Sequence, residues 1–223
     1  MCWSAAADLT AGTVITAVGV VCVTLTARGR RHRDLLVAAL PLLLGAHQLI
    51  EAAVWNAGGG WNAGGGWNAG GECSPAATAW AVIALPVLPL RVPLGVLLAA
   101  APPVRRRLLA PAAVGLGTAA VLTYCLATRP VTAEIRGHTI GYGVNVPWMP
   151  LVLAGYLFAT LGALLLTADR RLRLLGAVLA AGALACSALW RLEFASTWCA
   201  FAAVASLLVL GWVRHRQPRP SVT

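Results

Sequence analysis

Long apolar runs alternate with short polar segments along nearly the whole chain. A helix needs about 20 mostly apolar residues to cross the hydrocarbon core of a bilayer. Seven runs meet this requirement, at about 9–27, 35–55, 76–101, 108–127, 148–166, 172–190 and 194–213. The pattern therefore predicts an all-α fold, a polytopic integral membrane bundle of seven transmembrane helices. We expect a single domain over residues 1–213 and a cytoplasmic tail at 214–223.

The third run contains several residues that disturb a membrane helix. Pro86, Pro89 and Pro93 interrupt the helical hydrogen-bond pattern, and Arg91 places a charge within the apolar run. The segments on either side of Arg91 are each too short to cross a bilayer alone. We therefore expect one kinked helix rather than two helices.

The amino-acid composition agrees with a membrane location and excludes several classes of function. Hydrophobic residues make up 59% of the 223 residues and charged residues 11%, whereas soluble domains average about 25% charged residues. The sequence contains 17 arginines and no lysine. Together with the abundant alanine and glycine, this residue usage indicates a GC-rich bacterial genome. Without lysine, no retinal or pyridoxal Schiff base, no P-loop and no catalytic amine can be built.

The arginines predict the orientation of the bundle. Positively charged residues concentrate in the cytoplasmic connections of membrane proteins. Thirteen of the 17 arginines lie in alternate connections or in the tail: Arg28, Arg30, Arg31, Arg33, Arg105, Arg106, Arg107, Arg170, Arg171, Arg173, Arg214, Arg216 and Arg219. We therefore expect the N-terminus outside and the C-terminus inside, in the bacterial cytoplasmic membrane.

Three further expectations follow from the charge and aromatic patterns. Short arginine clusters at alternate helix ends are orientation signals, so no nucleic-acid partner is predicted. Residues 1–7 contain no basic residue, and the first span is expected to be retained rather than removed as a signal peptide. The tryptophans, including Trp80 on the outer side and Trp212 on the inner side, are interpreted as an interfacial belt.

The two longer outer loops differ in character. Residues 55–72 contain Trp-Asn-Ala-Gly-Gly-Gly twice and then Trp-Asn-Ala-Gly-Gly-Glu, which predicts a mobile, glycine-rich linker. A tryptophan-rich ligand contact is the alternative interpretation of this repeat. In the loop at 128–147, apolar and polar residues alternate from Val131 to Arg136, which predicts a short β-hairpin over the outer mouth of the bundle.

Span two carries three polar residues within its apolar run. His47 and Glu51 are spaced i, i+4 and share one helix face, with Gln48 beside them. At 1.5 Å per residue, Glu51 lies about 6 Å and His47 about 12 Å below Trp55 at the outer end. Arg91 in span three is placed at a similar depth, and it either bridges to this group or snorkels inward beside the prolines. Ionisable residues within spans are candidate functional sites.

Three interpretations fit this group. The leading one is binding or transport of a small polar ligand or a proton. The binding site would be an outward-facing pocket formed by His47, Gln48, Glu51 and Arg91. The first alternative is a membrane-embedded metal-dependent hydrolase, in which His47 and Glu51 bind zinc. It needs a further ligand from Cys125, Cys199, Glu193 or His138. A structural polar network is the third. We expect a binding or transport protein rather than an enzyme, and we predict no cofactor. The expected partners are the lipid bilayer and a small polar ligand.

Six cysteines add a thiol-based hypothesis. One of them, Cys22, lies on the inner half, and the other five lie on the outer half, where disulfides persist: Cys2, Cys73, Cys125, Cys186 and Cys199. The pairs Cys186 with Cys199 and Cys2 with Cys73 suit the predicted depths, but the connectivity stays open. Either a structural or sensory thiol protein or simple packing of small residues fits this pattern.

The sequence also resembles a known family. The chain opens Met-Cys-Trp-Ser-Ala, has PLLLGAHQLIEAAVW at 41–55 and ends its last span near Trp198-Cys199. It is similar to uncharacterised bacterial multi-pass membrane proteins that open Met-Cys-Phe-Ser-Ala and carry Gln-Gln or His-Gln, then Glu-Gly, then Trp in the second helix.

This resemblance covers nearly the whole chain. The positions that match are Cys2, Ser4, His47, Gln48, Glu51 and Trp55. Ala52 stands where the family usually has Gly, and the hexapeptide repeat is an addition. The resemblance implies a site at these positions and supplies no activity for it. Many relatives have Gln in place of His47, which argues against an obligatory histidine ligand.

Overall fold

The computed structural model describes residues 4–58, 75–136, 139–189 and 194–216. Side chains are described within these ranges except at 57–58, 134–136, 139, 186–189 and 194–200. The helices are α1 Ala5–Arg28, α2 Leu35–Ala38, α3 Leu40–Gly58, α4 Pro75–Val82, α5 Leu88–Ala99, α6 Pro102–Thr128, α7 Met149–Leu157, α8 Ala163–Leu166, α9 Arg170–Leu189 and α10 Phe194–His215. A short 3₁₀ turn, His32–Asp34, precedes α2, and an antiparallel hairpin pairs β1 Thr132–Arg136 with β2 Thr139–Gly143.

Five helical segments are long and apolar enough to cross a bilayer. They are Ala5–Arg28, His32–Asn56, Pro75–Ala99, Pro102–Thr128 and Met149–Leu166. These segments coincide with the first five predicted runs, and α9 and α10 coincide with the sixth and seventh. The all-α prediction is confirmed, and the long apolar helices fit a membrane protein.

The proline-rich third run forms one helix, as the sequence predicted. A π-helical segment, Ile83–Val87, joins α4 to α5 around Pro86, and the whole stretch counts as one candidate span. The hydroxyl of Tyr156 donates a hydrogen bond of 2.8 Å to the carbonyl of Ala84 within this segment. Prolines are tolerated in membrane helices where a neighbouring helix satisfies the backbone groups that they release. Tyr156 supplies one such contact.

Helices α1 and α3 pack closely because glycines lie at their crossing. A methyl group added at Gly19 would lie 2.5 Å from the backbone nitrogen of Leu42, and one added at Gly45 would lie 2.3 Å from the hydroxyl of Thr16. Small residues allow membrane helices to approach until their backbones almost touch. This approach holds α3 against α1 along most of its length, with α4 and α10 on its other sides.

One end of the bundle is held together by an ionic network. Arg216 bridges two acids, with Nη1 3.0 Å from Asp34 Oδ1 and Nη2 3.2 Å from Asp169 Oδ2. Its Nη1 also donates to the carbonyl of Ala99, and Arg31 lies 3.5 Å from Asp34. The connections after α1, α5 and α8 and the end of α10 therefore meet at the same end of the bundle. These are the arginine-rich segments of the sequence.

Asp169 is the most heavily bonded member of this network. Its Oδ2 accepts from the indole of Trp212 at 2.8 Å, and its Oδ1 accepts from the backbone N–H groups of Arg171 and Leu172. Burial by itself raises the pKa of Asp169, but these hydrogen bonds and the charge of Arg216 outweigh it, so that the pKa lies below its ordinary value. The carboxylate form is therefore the stabilised one.

The belt interpretation is wrong for two of the tryptophans. Trp212 is 1% exposed and lies in the main apolar core, and Trp80 is also buried. Both residues have an N–H group and a large flat ring, and inside the bundle they pack against polar partners instead of lipid headgroups. Trp148, which is largely exposed, remains consistent with the belt.

The hairpin predicted in the second long loop is present. Its register pairs Thr132 with Gly143 and Ile135 with Ile140. Val131, Ala133, Tyr142 and Val144 pack on an apolar cluster formed by Ala77, Trp80 and Ala81 of α4. The hairpin therefore covers the end of the bundle opposite the ionic network.

Candidate functional site

The polar residues of span two lie inside the bundle. Glu51 has no exposed surface and Gln48 is 2% exposed, while His47 is half-buried. The i, i+4 spacing puts His47 and Glu51 one turn apart on a continuous helix, as the sequence predicted. Burial of a carboxyl group within a candidate span is costly, and residues that bear this cost are candidates for function.

A second carboxyl group joins this region from α1. Asp8, in the first turn of α1, also has no exposed surface. Its Oδ2 accepts a hydrogen bond of 2.9 Å from the indole N–H of Trp55, one turn beyond Glu51 on α3. The close α1–α3 packing therefore places two buried acids from different helices near the same end of the bundle. We define Asp8, His47, Gln48 and Glu51 as the buried acid cluster.

Sequence reasoning missed Asp8, although a signal for it exists. Asp8 is the only charged residue among the first 27 positions, and it lies at the outer boundary of the first predicted span. A carboxylate at that boundary needs a partner or water, and Trp55 was already expected at the same level. The bond between them depends on how α1 and α3 pack, which the apolar pattern does not contain.

An aromatic column connects His47 to the hairpin. The rings of His47 and Trp80 have centroids 4.8 Å apart at an angle of 40°. Trp80 stacks on Tyr142 of β2 with a centroid distance of 3.6 Å and nearly parallel planes. The Nε2 atom of His47 is buried and makes no hydrogen bond to any described residue. This nitrogen is therefore a polar atom that the described side chains leave without a hydrogen bond.

Arg91 does not join the buried acid cluster through an ion pair. The described ion pairs lie at the arginine-rich end and leave Arg91 out. Arg91 is half-buried on α5, and its Nε is a buried donor without a described partner. Helix α5 packs chiefly on α6 and α2, while α3 packs on α1, α4 and α10. Three of the four predicted pocket residues therefore lie on α3, whereas Arg91 lies on α5, which packs mainly against different helices.

The ligands of the predicted zinc site do not come together in the described part of the chain. No group of three His, Cys, Asp or Glu side chains that suits a metal ion is found there. Cys125 is a buried free thiol in an apolar cluster with Leu122 and Val146. Cys22 is also a buried free thiol.

Several predicted features lie outside the described residues. They are the glycine and tryptophan repeat from 59 onward, Cys2, Cys73, His138 and Glu193, together with the side chains of Cys186 and Cys199. The disulfide pairs proposed from the sequence all involve these positions. They therefore remain predictions.

The geometry of the cluster suits proton chemistry. Two carboxyl groups, an amide and an imidazole lie on two helices that are in close contact, and the imidazole packs at a tilt against an indole ring. Carboxyl and imidazole groups are the side chains that most often accept and release protons in membrane pathways. The arrangement can hold a proton or bind a small polar ligand, and its burial separates it from bulk water.

Comparison with known proteins adds a family and no activity. A family model described as a family of unknown function (DUF6629) matches residues 1–222. No curated protein and no solved structure matches the chain. The resemblance to an uncharacterised family, found on the start of the chain and on the second helix, is confirmed by this match. The chain belongs to DUF6629, a family of unknown function.

Proposed function

We propose that this protein binds a proton, or a small polar ligand of similar chemistry, at the buried acid cluster within the membrane. The observation that carries the proposal is that Asp8 and Glu51, on two different helices, both have no exposed surface. Ionisable residues inside a membrane characteristically mark substrate, ion and proton pathways. His47, one turn from Glu51, provides a third titratable group.

Burial favours a proton over a larger solute. Gln48, Glu51 and Asp8 are almost completely covered by protein, so a solute with a hydration shell has no surface of these groups to approach. A proton needs only a chain of polar atoms and small side-chain movements. His47, Trp80 and Tyr142 form a column of packed rings between the cluster and the hairpin, which helps to cover the cluster.

The proposed topology has seven spans with the N-terminus outside. Support comes from the ionic network, because Arg31, Asp34, Asp169 and Arg216 meet at one end of the bundle. The positive-inside rule assigns such an end to the cytoplasm. The buried acid cluster then lies toward the outer face of a bacterial cytoplasmic membrane.

The hydrolase function has less support than binding or transport. A catalytic zinc site needs three protein ligands, and the described residues provide no such group. Cys125 lies among apolar side chains rather than beside His47. We therefore favour a binding or transport protein over an enzyme.

Protonation of His47 gives the test of this proposal. We expect the imidazole of His47 to change its protonation state when pH is varied in reconstituted membranes. In the Glu51→Gln variant the titration midpoint should move by about one pH unit, because an opposite charge one turn away has been removed. Solid-state NMR of protein labelled at the histidine nitrogens measures both quantities, and His47→Gln identifies the signal.

The exposed histidines at the other end serve as internal controls. His32 and His215 lie at the arginine-rich end, and their signals should respond identically in the wild type and in Glu51→Gln. If His47 keeps one protonation state throughout, or titrates identically in both proteins, the cluster is a structural polar network and the proposal is wrong.

A further inference from the structure

A cleft opens at the arginine-rich end, between the start of α9 and the end of α10. It has a volume of about 750 Å³ and is lined by Asp169, Arg170, Arg171, Leu174, His215 and Arg216. Ligand sites in proteins typically measure about 300–1,000 Å³. We propose that this cleft binds the phosphate of an anionic phospholipid headgroup. The site lies at the opposite end of the bundle from the buried acid cluster and does not depend on it.

The one acid in the cleft is already engaged by the protein. Both oxygens of Asp169 accept hydrogen bonds, Oδ1 from backbone N–H groups and Oδ2 from Trp212 and Arg216. Its charge is therefore offset from within the fold. The aspartate holds the start of α9 and the end of α10 together and leaves the cleft with a net positive lining.

Arg170 and Arg171 supply the cations that are free to meet a ligand. Both are exposed, and the ion pairs found in the described ranges include neither of them. Arg171 Nη1 donates to the carbonyl of Gly211 at 3.3 Å, which holds this side chain across the gap between α9 and α10. A guanidinium offers a planar set of donors that matches two phosphate oxygens. Arg171 is thus positioned in advance for a phosphate.

The surroundings of the cleft favour a lipid over free phosphate. The candidate span Met149–Leu166 ends three residues before Asp169, so the cleft lies at the level where lipid headgroups begin. Leu174, one turn after Arg170, lines the same cleft and is 53% exposed, and Leu165 and Leu166 are also exposed nearby. A free anion such as inorganic phosphate would make no apolar contact with these leucines, whereas the acyl chains of a lipid would cover them. Basic pockets beside membrane helices are a recognised form of lipid site.

Native mass spectrometry of the detergent-purified full chain tests the proposal. Phosphatidylglycerol is titrated in the presence of phosphatidylcholine with the same acyl chains. We expect the wild type to retain one phosphatidylglycerol in preference to phosphatidylcholine. The double variant Arg170→Gln/Arg171→Gln should bind it at least about tenfold more weakly, because two charged donors are lost.

A matched control removes two other charges from the same end. Arg106 and Arg107 are exposed in the first turns of α6 and do not line the cleft. Arg106→Gln/Arg107→Gln should therefore keep the wild-type affinity. Equal losses in the two double variants would show a diffuse surface attraction, and wild-type affinity in the cleft variant would show no site. Either result overturns the proposal.

Inorganic phosphate distinguishes the two sources of the ligand group. The bound phosphatidylglycerol should resist an equal concentration of inorganic phosphate, because the acyl chains contribute to its binding. Displacement of the lipid under these conditions would identify a free-anion site and contradict the lipid assignment. The unfolding temperature of each variant without lipid, which should equal that of the wild type, shows that the fold is intact.

Discussion

Replacing Gly115 with alanine is expected to lower the free energy of unfolding by about 3 kcal/mol. A methyl group at this position would lie 2.1 Å from the backbone carbonyl oxygen of Pro89, 3.0 Å from the ring of Pro93 and 3.2 Å from Ala159. The first of these contacts is with backbone, which cannot rotate away. Helices α5 and α6 would have to separate, and a second π-helical segment, Phe158–Gly162, which contains Ala159, would lose its packing against them.

Gly117, two residues further along α6, provides a matched control. A methyl group there would have no neighbour within 4 Å, and alanine favours helix over glycine by up to about 1 kcal/mol. Gly117→Ala should therefore unfold at or slightly above the wild-type denaturant midpoint. Unfolding of the purified proteins in mixed micelles with a graded denaturing detergent measures both effects. Equal midpoints for Gly115→Ala and Gly117→Ala would mean that the close α5–α6 approach is wrong.

Replacing Arg216 with alanine should lower the free energy of unfolding by about 2 kcal/mol, since a partly buried ion network loses its central cation. Asp34 and Asp169 would both lose a bonded guanidinium, and the carbonyl of Ala99 would lose a donor. Arg216 also lies over the ring of Trp212, 4.8 Å from its centre. These contacts join four segments of the chain at one end.

Arg214 offers the comparison for this substitution. It lies in the last turn of α10, two residues before Arg216, and is exposed. Arg214→Ala removes the same charge and should change the free energy of unfolding by less than about 0.5 kcal/mol. A loss of equal size in both variants would point to net charge rather than to the network.

The effect of Arg216→Ala should depend on pH in a definite direction. The pKa of Asp169 is below its ordinary value, because the hydrogen bonds to its carboxylate and the charge of Arg216 outweigh burial. Its contribution to stability is therefore complete above the ordinary aspartate pKa of about 3.9. It is lost as the pH falls through the lower folded value. The gap between the wild type and Arg216→Ala should shrink below about pH 4, and a constant gap would contradict this account of Asp169.

Much of the fold follows from the sequence, because the thickness of a bilayer fixes the length of each apolar run. The first five runs, the formation of one helix by the proline-rich third run, and the hairpin after α6 were all predictable. Pro102 and Pro103 begin α6 earlier than expected, which places Arg105, Arg106 and Arg107 in its first turns rather than in a loop. Proline is favoured at the start of a helix because it lacks the N–H that would go unused there.

The contacts of the candidate site were harder to predict, because they join distant parts of the chain. Asp8 and Trp55 are 47 residues apart, and Asp34 and Arg216 are 182 residues apart. Periodicity says which residues share a helix face, as with His47 and Glu51, but not which helix that face meets. The meeting of α1 with α3 depends on close contacts at Gly19 and Gly45. Those glycines look ordinary in a sequence with 23 of them.

Infrared spectroscopy of the reconstituted protein during a change of pH tests the central claim most directly. If the buried acid cluster binds a proton, the wild type should show the carbonyl band of a protonated carboxylic acid that appears and disappears with pH. That band should be missing in Glu51→Gln and unchanged in His32→Gln, a substitution at the exposed opposite end. A wild type without such a band, or a band that persists in both Glu51→Gln and Asp8→Asn, would contradict proton binding at this cluster.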